Sequence, residues 1–91
     1  MLILRAVVKG RVQGVGFRWF VHRRAERIGL TGWVKNLYSG DVEVEACGSD
    51  EQVSELIEAL RKGPPMSFVS DLDYSTEPAD KDPYLSFDVR F

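Results

Sequence analysis

The sequence predicts an α+β fold in which an antiparallel sheet carries two helices on one face, with the element order βαββαβ. Two segments carry apolar residues at the helical spacings of three and four, and the segments around them show the apolar content or alternation of strands. Glycine and proline separate these segments. The chain has 91 residues, which suffice for one hydrophobic core but not for two, so residues 1–91 are predicted to form a single domain.

The first strand and the first helix flank a glycine-rich loop. Leu2 to Lys9 is largely apolar on both faces, which favours a strand in the middle of the sheet. The helix begins at Phe17, and Gly29 is placed to cap its C-terminal end. The apolar positions of this helix are Phe17, Phe20, Val21, Ala25 and Ile28.

A hairpin follows the first helix. Thr31 to Tyr38 is predicted as a strand, and a tight turn that includes Gly40 reverses the chain. Asp41 to Cys47 alternates regularly and forms the returning strand. The residues predicted to face the core are Val42, Val44 and Ala46, and those predicted to face outward are Asp41, Glu43, Glu45 and Cys47.

The second helix has clear start and stop signals. Ser49 and Gln52 stand at the spacing of a capping box, and the run Gly63-Pro64-Pro65 ends the helix. Its predicted buried stripe consists of Val53, Leu56, Ile57 and Leu60.

The rest of the chain is predicted as strand, loop and strand. Met66 to Tyr74 forms the first of these strands, Ser75 to Pro83 a polar loop, and Tyr84 to Phe91 the last strand. The last strand places Leu85, Phe87, Val89 and Phe91 on one face. The order is that of a ferredoxin-like split βαβ sandwich, βαββαβ, in which the fourth strand is either long or extended into a hairpin.

Composition excludes several classes of protein. No apolar run reaches 18 residues, and the first residues lack the basic region and cleavage site of a signal peptide, so we expect a cytoplasmic protein without a membrane partner. Cys47 is the only cysteine and cannot form an internal disulfide. One cysteine and one histidine also exclude zinc sites of the usual kind.

Charge is unevenly distributed along the chain. Residues 1–40 contain eight basic residues and one acidic residue, whereas residues 41–91 contain four basic and thirteen acidic residues. We therefore expect a positive field around the glycine loop, which would attract a small anion, and an acidic remainder that would repel a long polyanion.

The loop from Gly10 to Arg18 is the strongest local signal. It holds three glycines and two arginines between a strand and a helix. Glycine lets backbone N–H groups converge on an anion, and the N-terminus of a helix favours negative charge. The segment matches neither a P-loop nor a dinucleotide fingerprint, because no Lys follows Val15 and Trp19 stands where glycine or alanine is needed. It is either a phosphate-binding loop or a glycine-rich connection with solvated arginines.

No covalent nucleophile or general base is evident. Cys47 lies among acidic residues, which raise the pKa of a thiol, and a lone helical His22 beside arginines is typical of a surface residue. A phosphate site without such groups suits a mixed anhydride, because its carboxylate leaving group has a conjugate acid with a pKa of about 4. To hydrolyse such a substrate, a site can need only to hold the phosphoryl oxygens and to place a water in line with the leaving group.

Two segments resemble the signatures of the acylphosphatases. Val8 to Arg18 is similar to the first signature, and Gly32 to Val42, continuing to Gly48, is similar to the second. Both fit without a gap, and the resemblance covers the whole chain. It implies an enzyme that hydrolyses acyl phosphates to carboxylate and inorganic phosphate.

The resemblance also implies roles for single residues. Arg18 would bind the phosphoryl group, and Asn36 would position the attacking water. Backbone N–H groups would surround the phosphoryl oxygens; they belong to Gln13, Gly14, Val15, Gly16, Phe17 and Arg18. No metal, cofactor or phosphoenzyme is expected, and the substrate's own phosphate is one candidate for the group that takes the proton from water. The Gln13 side chain is expected to shape the loop, and those of Phe17 and Trp33 to belong to the core.

Domains with other functions share this order of helices and strands. An RNA-binding module would stack bases on aromatic residues of the central strands, but Glu43 and Glu45 would repel RNA there, so no nucleic-acid partner is expected. A small-molecule regulatory domain or a carbamoyl phosphate domain normally belongs to a larger protein. The expected partner is therefore a small acyl phosphate, bound by a monomer.

Overall fold

Two helices cover one face of a five-stranded sheet in the computed structural model, which describes residues 1–91. The elements are β1 (Leu2–Arg11), α1 (Phe17–Ile28), β2 (Thr31–Asn36), β3 (Val42–Gly48), α2 (Asp50–Lys62), β4 (Phe68–Pro78) and β5 (Phe87–Arg90). This arrangement confirms the predicted α+β ferredoxin-like fold. No helix is long and apolar enough to cross a bilayer.

The sheet differs from the prediction at one edge. Its strand order is β4-β1-β3-β2-β5, and β5 runs parallel to β2 while all other pairs are antiparallel. β4 ends beside Leu2, so residues 79–86 must lead from that edge to the opposite one. The connection enters β5 from the end at which β2 begins, which makes the two strands parallel and brings Arg90 beside Lys35.

The core lies between the helices and the inner face of the sheet. Alternate residues of β1 and β3 supply its floor, and those of β3 are the three that the sequence predicts to face the core. α1 buries Phe17, Val21 and Ala25 against this floor, and α2 buries Val53, Leu56, Ala59 and Leu60. Of the predicted stripes, Phe20, Ile28 and Ile57 are only partly buried and pack at the edge of the core.

Both helices have the predicted caps. Gly29 adopts φ 98° and donates its N–H to the carbonyl of Ala25. The Ser49 hydroxyl accepts from the N–H of Gln52 at 3.2 Å, and the Gln52 side chain accepts from the N–H of Ser49 at 2.8 Å. Gln52 also donates to the carbonyl of Ile28, which joins the end of α1 to the start of α2.

The last third of the chain departs from the predicted boundaries. β4 continues through Pro78 because the polar residues from Ser75 onward pair with β1, so the loop predicted over Ser75–Pro83 begins only after β4. β5 is shorter than predicted. Leu85 and Phe91, which were predicted to share a face with buried Phe87, are exposed because they lie outside the paired part of the strand.

A β-bulge shapes the end of β1. The register with β4 shifts between Lys9 and Gly10, and Gly10 adopts φ 128°. A Cβ on Gly10 would lie 2.1 Å from the carbonyl oxygen of Phe68. Glycine is therefore required where β1 leads into the loop.

Candidate functional site

The glycine-rich loop lies at the end of the sheet where β1, β2 and β5 finish and α1 begins. Gly14 and Gly16 adopt left-handed conformations with φ 74° and 77°. A Cβ on either glycine would meet no atom within 4 Å, so these glycines are needed for backbone conformation and not because of crowding.

The backbone N–H groups of this loop are available to a ligand. Those of Gln13, Gly14, Val15 and Gly16 form no hydrogen bond within the protein. Gly16 is the N-cap of α1 and supplies no side chain to cap the first turn. Unpaired N–H groups and the positive end of the helix dipole thus meet at one place, which suits an anion.

The Gln13 side chain anchors the loop to the β2–β3 hairpin. Its Nε2 donates to the carbonyl of Leu37 at 2.7 Å and to that of Asp41 at 2.8 Å. Both amide protons are thereby used inside the protein. Gln13 therefore positions the loop against the hairpin, and its backbone N–H remains free.

Arg18 lies in the first turn of α1 and is held by the end of the chain. Its Nη1 donates to the carbonyl of Arg90 at 3.0 Å, and its guanidinium lies 4.5 Å from the centre of the Phe91 ring. It forms no ion pair with a carboxylate. The contacts fix the side chain while leaving its charge uncompensated.

Asn36 ends β2 and carries the one buried side-chain polar atom that has no hydrogen-bond partner, its Oδ1. It shares the inner face of the sheet with Val34, the face on which α1 packs. An unpaired buried acceptor costs about 1–3 kcal/mol. Such an atom in a folded protein calls for an explanation, and a bound water, an ion, local strain and a catalytic role are the usual ones.

A cleft of about 510 Å³ opens beside Asn36. Its lining residues are Gln13, Lys35, Asn36, Leu37, Tyr38 and Phe91. The structure thus brings Gln13 and Asn36 together in one cleft. Arg18 does not line the cleft itself but adjoins it through Phe91, whose ring contacts the Arg18 guanidinium.

Two of the predicted loop residues have side chains that pack in or against the core and do not line the cleft. Phe17 is buried in the core, so only its backbone can face a ligand. Val15 is partly buried and packs against the same core. Trp33 is also buried as predicted, but on the outer face of the sheet, where Lys35 and Arg90 cover its ring. No pattern in the sequence predicts that Arg90 and Phe91 contact Arg18.

The predicted positive field is smaller than the count of basic residues implies. On the outer face of the sheet, away from the helices, three cations are paired with carboxylates. Arg5 pairs with Glu45 and Glu77, Lys9 with Asp73, and Lys35 with Glu43. The hydrogen bond that Arg5 donates to Glu77 raises the pKa of Arg5 above its ordinary value. Arg18 lies outside these pairs.

Cys47, the only thiol of the chain, lies away from the site. Cys47 pairs with Thr31 at the opposite end of β2 from Asn36, and it is buried where the sequence predicted an outward-facing residue. Its Sγ lies 3.3 Å from the Met1 sulfur, and burial, with Asp82 as a lesser cause, raises its pKa. His22 Nε2 lies 3.6 Å from Glu26. No cluster of three His, Cys, Asp or Glu residues could hold a metal ion.

Replacing Gln13 by Glu tests the anchoring of the loop. The carboxylate would face two carbonyl oxygens without a proton to donate, so we expect the free energy of unfolding to fall by about 2 kcal/mol. The affinity for inorganic phosphate should fall about tenfold (about 1.4 kcal/mol), because the displaced loop no longer directs its N–H groups to one point. Urea unfolding and titration calorimetry measure the two effects.

Gln52→Glu is the matched control for Gln13→Glu. It also removes an amide-to-carbonyl hydrogen bond, the one to Ile28, but it lies at the start of α2. We expect it to lower stability without changing the affinity for phosphate. Equal losses of phosphate affinity in both variants would contradict the anchoring role of Gln13.

Comparisons with known proteins point to one family. A family model described as Acylphosphatase matches residues 4–89. The chain is 42% identical over 91 residues to an acylphosphatase of Bacillus licheniformis, with 100% of each chain covered. It resembles the crystal structure of acylphosphatase from Bacillus subtilis with 38% identity, a TM-score of 0.94 and 100% of each chain covered. It also matches 12% of the HypF chain of T. kodakarensis, with 33% identity, a TM-score of 0.83 and 99% of this chain covered.

Proposed function

The chain belongs to the acylphosphatase family, and we propose from this membership how its residues hydrolyse an acyl phosphate. The reaction converts the substrate to a carboxylate and inorganic phosphate. Residues 1–91 act as one domain in this proposal, and the substrate is a small molecule bound at the end of the sheet where α1 begins.

Arg18 and the loop bind the phosphoryl group. The positively charged guanidinium offers two parallel N–H donors to phosphoryl oxygens. The unpaired N–H groups of residues 13–16, with those of Phe17 and Arg18, surround the remaining oxygens. These donors are in place before the substrate arrives, so the charge of the transition state is stabilised without reorganisation.

Asn36 positions the nucleophilic water. Its unpaired Oδ1 accepts a hydrogen bond from one O–H of the water and leaves an oxygen lone pair directed at phosphorus. An amide is suited to this task because it carries no charge that would repel the dianionic substrate. Water held in line with the bond to the leaving group has lost most of the entropy that a reaction from bulk solvent would require.

The chemical step is a direct displacement at phosphorus. The water oxygen forms a bond to phosphorus while the bond from phosphorus to the acyl oxygen breaks, and the carboxylate leaves with the electron pair. Its conjugate acid has a pKa of about 4, so it needs no general acid. The proton of the water passes to a phosphoryl oxygen of the substrate, which explains why no side-chain base is required.

One observation carries this proposal: Asn36, whose buried Oδ1 has no hydrogen-bond partner, lines the same cleft as Gln13, the first residue of the loop with free N–H groups. An unpaired amide oxygen and the proposed anion-binding loop therefore belong to residues that line one cleft.

Hydrolysis of acetyl phosphate in the presence of excess EDTA tests the proposed function. We expect full activity, since Arg18 and backbone groups take the place of a metal in this mechanism. Release of inorganic phosphate gives the rate, and p-nitrophenyl phosphate serves as a control whose leaving group needs more assistance and should react far more slowly. Activity that disappears with EDTA and returns with a divalent cation would contradict the mechanism.

A further inference from the structure

A second group of cations lies on α1, away from the cleft beside Asn36. A cavity of about 250 Å³, the α1 cavity, opens on the surface of this helix, and its lining residues are Phe20, Arg23, Arg24 and Arg27. They recur at spacings of three and four, so they lie on one face of the helix. At 3.6 residues per turn, Arg18 lies roughly 140° around the helix axis from Arg23. The α1 cavity is therefore separate from the candidate active site.

No carboxylate neutralises the arginines of the α1 cavity. None of the three forms an ion pair. Glu26, the one carboxylate of α1, lies 3.6 Å from His22 Nε2 instead. Arg23 and Arg27 are four positions apart, and like charges at this spacing on a helix repel one another. A bound anion would relieve this repulsion.

The positive charge continues onto α2. A neighbouring cavity of about 360 Å³ is lined by Arg24, Arg61 and Lys62, together with Glu58 and Ala59. Arg61 and Lys62 belong to the last turn of α2, and neither forms an ion pair. Glu58 is the only acidic residue that lines either cavity. The cations on this surface therefore outnumber the carboxylates.

The Arg24 side chain is held in place by the protein itself. Its guanidinium lies 5.1 Å from the centre of the Phe20 ring, and the residue is partly buried. A side chain that is already fixed loses less conformational entropy when a ligand binds to it. Arg24 also lines both cavities, so a ligand bound to it can contact cations of both helices.

The number and type of these cations favour a ligand with linked phosphates. Guanidinium groups bind phosphate oxygens through paired N–H donors, and each arginine can contact a different phosphate. The volume of the α1 cavity suits a small ligand, since a water occupies about 30 Å³. A long polyanion is disfavoured, because the exposed Asp50, Glu51 and Glu55 on the earlier turns of α2 would repel a strand that continued along the helices.

We propose that the α1 cavity is a second anion-binding site, in which Arg23, Arg24 and Arg27 bind a small ligand that carries two or more linked phosphates. Inorganic triphosphate and the triphosphate group of a nucleotide share this chemistry. The site takes no part in the hydrolysis of an acyl phosphate and does not depend on the proposed function.

A titration of isotope-labelled protein with inorganic triphosphate, followed by the NMR shifts of the backbone amides, tests the site. Inorganic phosphate is present to occupy the loop. We expect saturable shifts in residues 20–27 and an affinity for triphosphate about tenfold above that for inorganic phosphate, because a second linked phosphate contacts another guanidinium. Shifts confined to residues 13–18, or equal affinities for the two anions, would overturn the site.

A titration with ATP distinguishes the two sources of linked phosphates. An affinity for ATP above that for inorganic triphosphate, with shifts in residues 20–27, supports the site and identifies a nucleotide as its ligand. An equal or lower affinity for ATP supports the site with inorganic phosphates as the ligand. Tighter binding of a single-stranded RNA than of triphosphate to these residues would overturn the proposal of a small ligand.

Arg24→Gln and Arg27→Gln should each lower the affinity for inorganic triphosphate about tenfold, since each removes one charged pair of donors. Lys81→Gln is the matched control, because it removes one positive charge at an exposed position between β4 and β5. It should leave the affinity unchanged. Equal losses in all three variants would show that triphosphate is attracted only by the total charge, and unchanged affinity in the two arginine variants would place it elsewhere; both results would overturn the site.

Activity separates this inference from the proposed function. Arg24→Gln and Arg27→Gln should hydrolyse acetyl phosphate at the rate of the unmodified protein, and Arg18→Lys should bind triphosphate at residues 20–27 with unchanged affinity. Triphosphate binding that depends on Arg24, in a protein that hydrolyses no acyl phosphate, would refute the hydrolysis and support the site. Hydrolysis of acetyl phosphate without such binding would support the function and refute the site.

Discussion

Arg18→Lys should lower kcat/KM for acetyl phosphate about a thousandfold, which corresponds to about 4 kcal/mol of transition-state stabilisation. Lysine retains one positive charge but offers no planar pair of donors to the phosphoryl oxygens. Lysine also cannot reproduce the contacts that hold the Arg18 side chain in place. The guanidinium of Arg18 donates to the Arg90 carbonyl at 3.0 Å and stacks on Phe91. The loss should appear in both kcat and KM, because the group binds the phosphoryl oxygens in the substrate and more strongly in the transition state.

The fold of the Arg18→Lys protein should remain intact. The lost contacts are at the surface, so we expect the free energy of unfolding to change by no more than about 1 kcal/mol. Arg23→Lys is the matched control: it makes the same change on the exposed side of the same helix, outside the cleft, and should retain full activity. Comparable activity of the two variants would show that Arg18 does not bind the phosphoryl group.

Asn36→Ala should separate activity from stability. Without an acceptor for the water, kcat should fall about a hundredfold or more while KM changes only slightly, since Asn36 is not proposed to bind the phosphoryl group. The substitution also removes the unpaired Oδ1, whose burial costs about 1–3 kcal/mol. We therefore expect a thermal midpoint equal to or above that of the unmodified protein.

Ser39→Ala provides the control for Asn36→Ala. It removes the hydroxyl that lies 3.1 Å from Asp41 Oδ2 in the same hairpin, and Ser39 does not line the cleft. Activity should persist in this variant. Rapid turnover by Asn36→Ala, or a clear loss of stability without loss of turnover, would contradict the proposed role. It would show that Asn36 stabilises the hairpin and does not position the water.

Most elements of the fold could be predicted because their signals are local. Helical spacing from Phe17 onward, the capping box of Ser49 and Gln52, and the alternation of β3 each depend on residues within a few positions of one another. The extended β4 could not be predicted in this way. Its polar residues from Ser75 onward have no strand pattern and are ordered by pairing with β1.

The predicted site residues had two different origins. The glycine loop followed from the chemistry of anion binding, and the structure places its unpaired N–H groups at the start of α1. Asn36 was named only because the sequence resembles the acylphosphatases, since a lone asparagine before a turn ordinarily favours a structural role. The unpaired Oδ1 now supplies a physical argument for the same residue.

By itself the sequence determined the class of the fold, the position of the loop and the family to which the chain belongs. Tertiary structure alone decided that β5 lies parallel to β2, that Arg90 and Phe91 hold Arg18, and that the Gln13 side chain ties the loop to the hairpin. The physical reason is distance along the chain. Arg18 and Arg90 are 72 positions apart, and their contact depends on which edge of the sheet β5 joins, which no local pattern specifies.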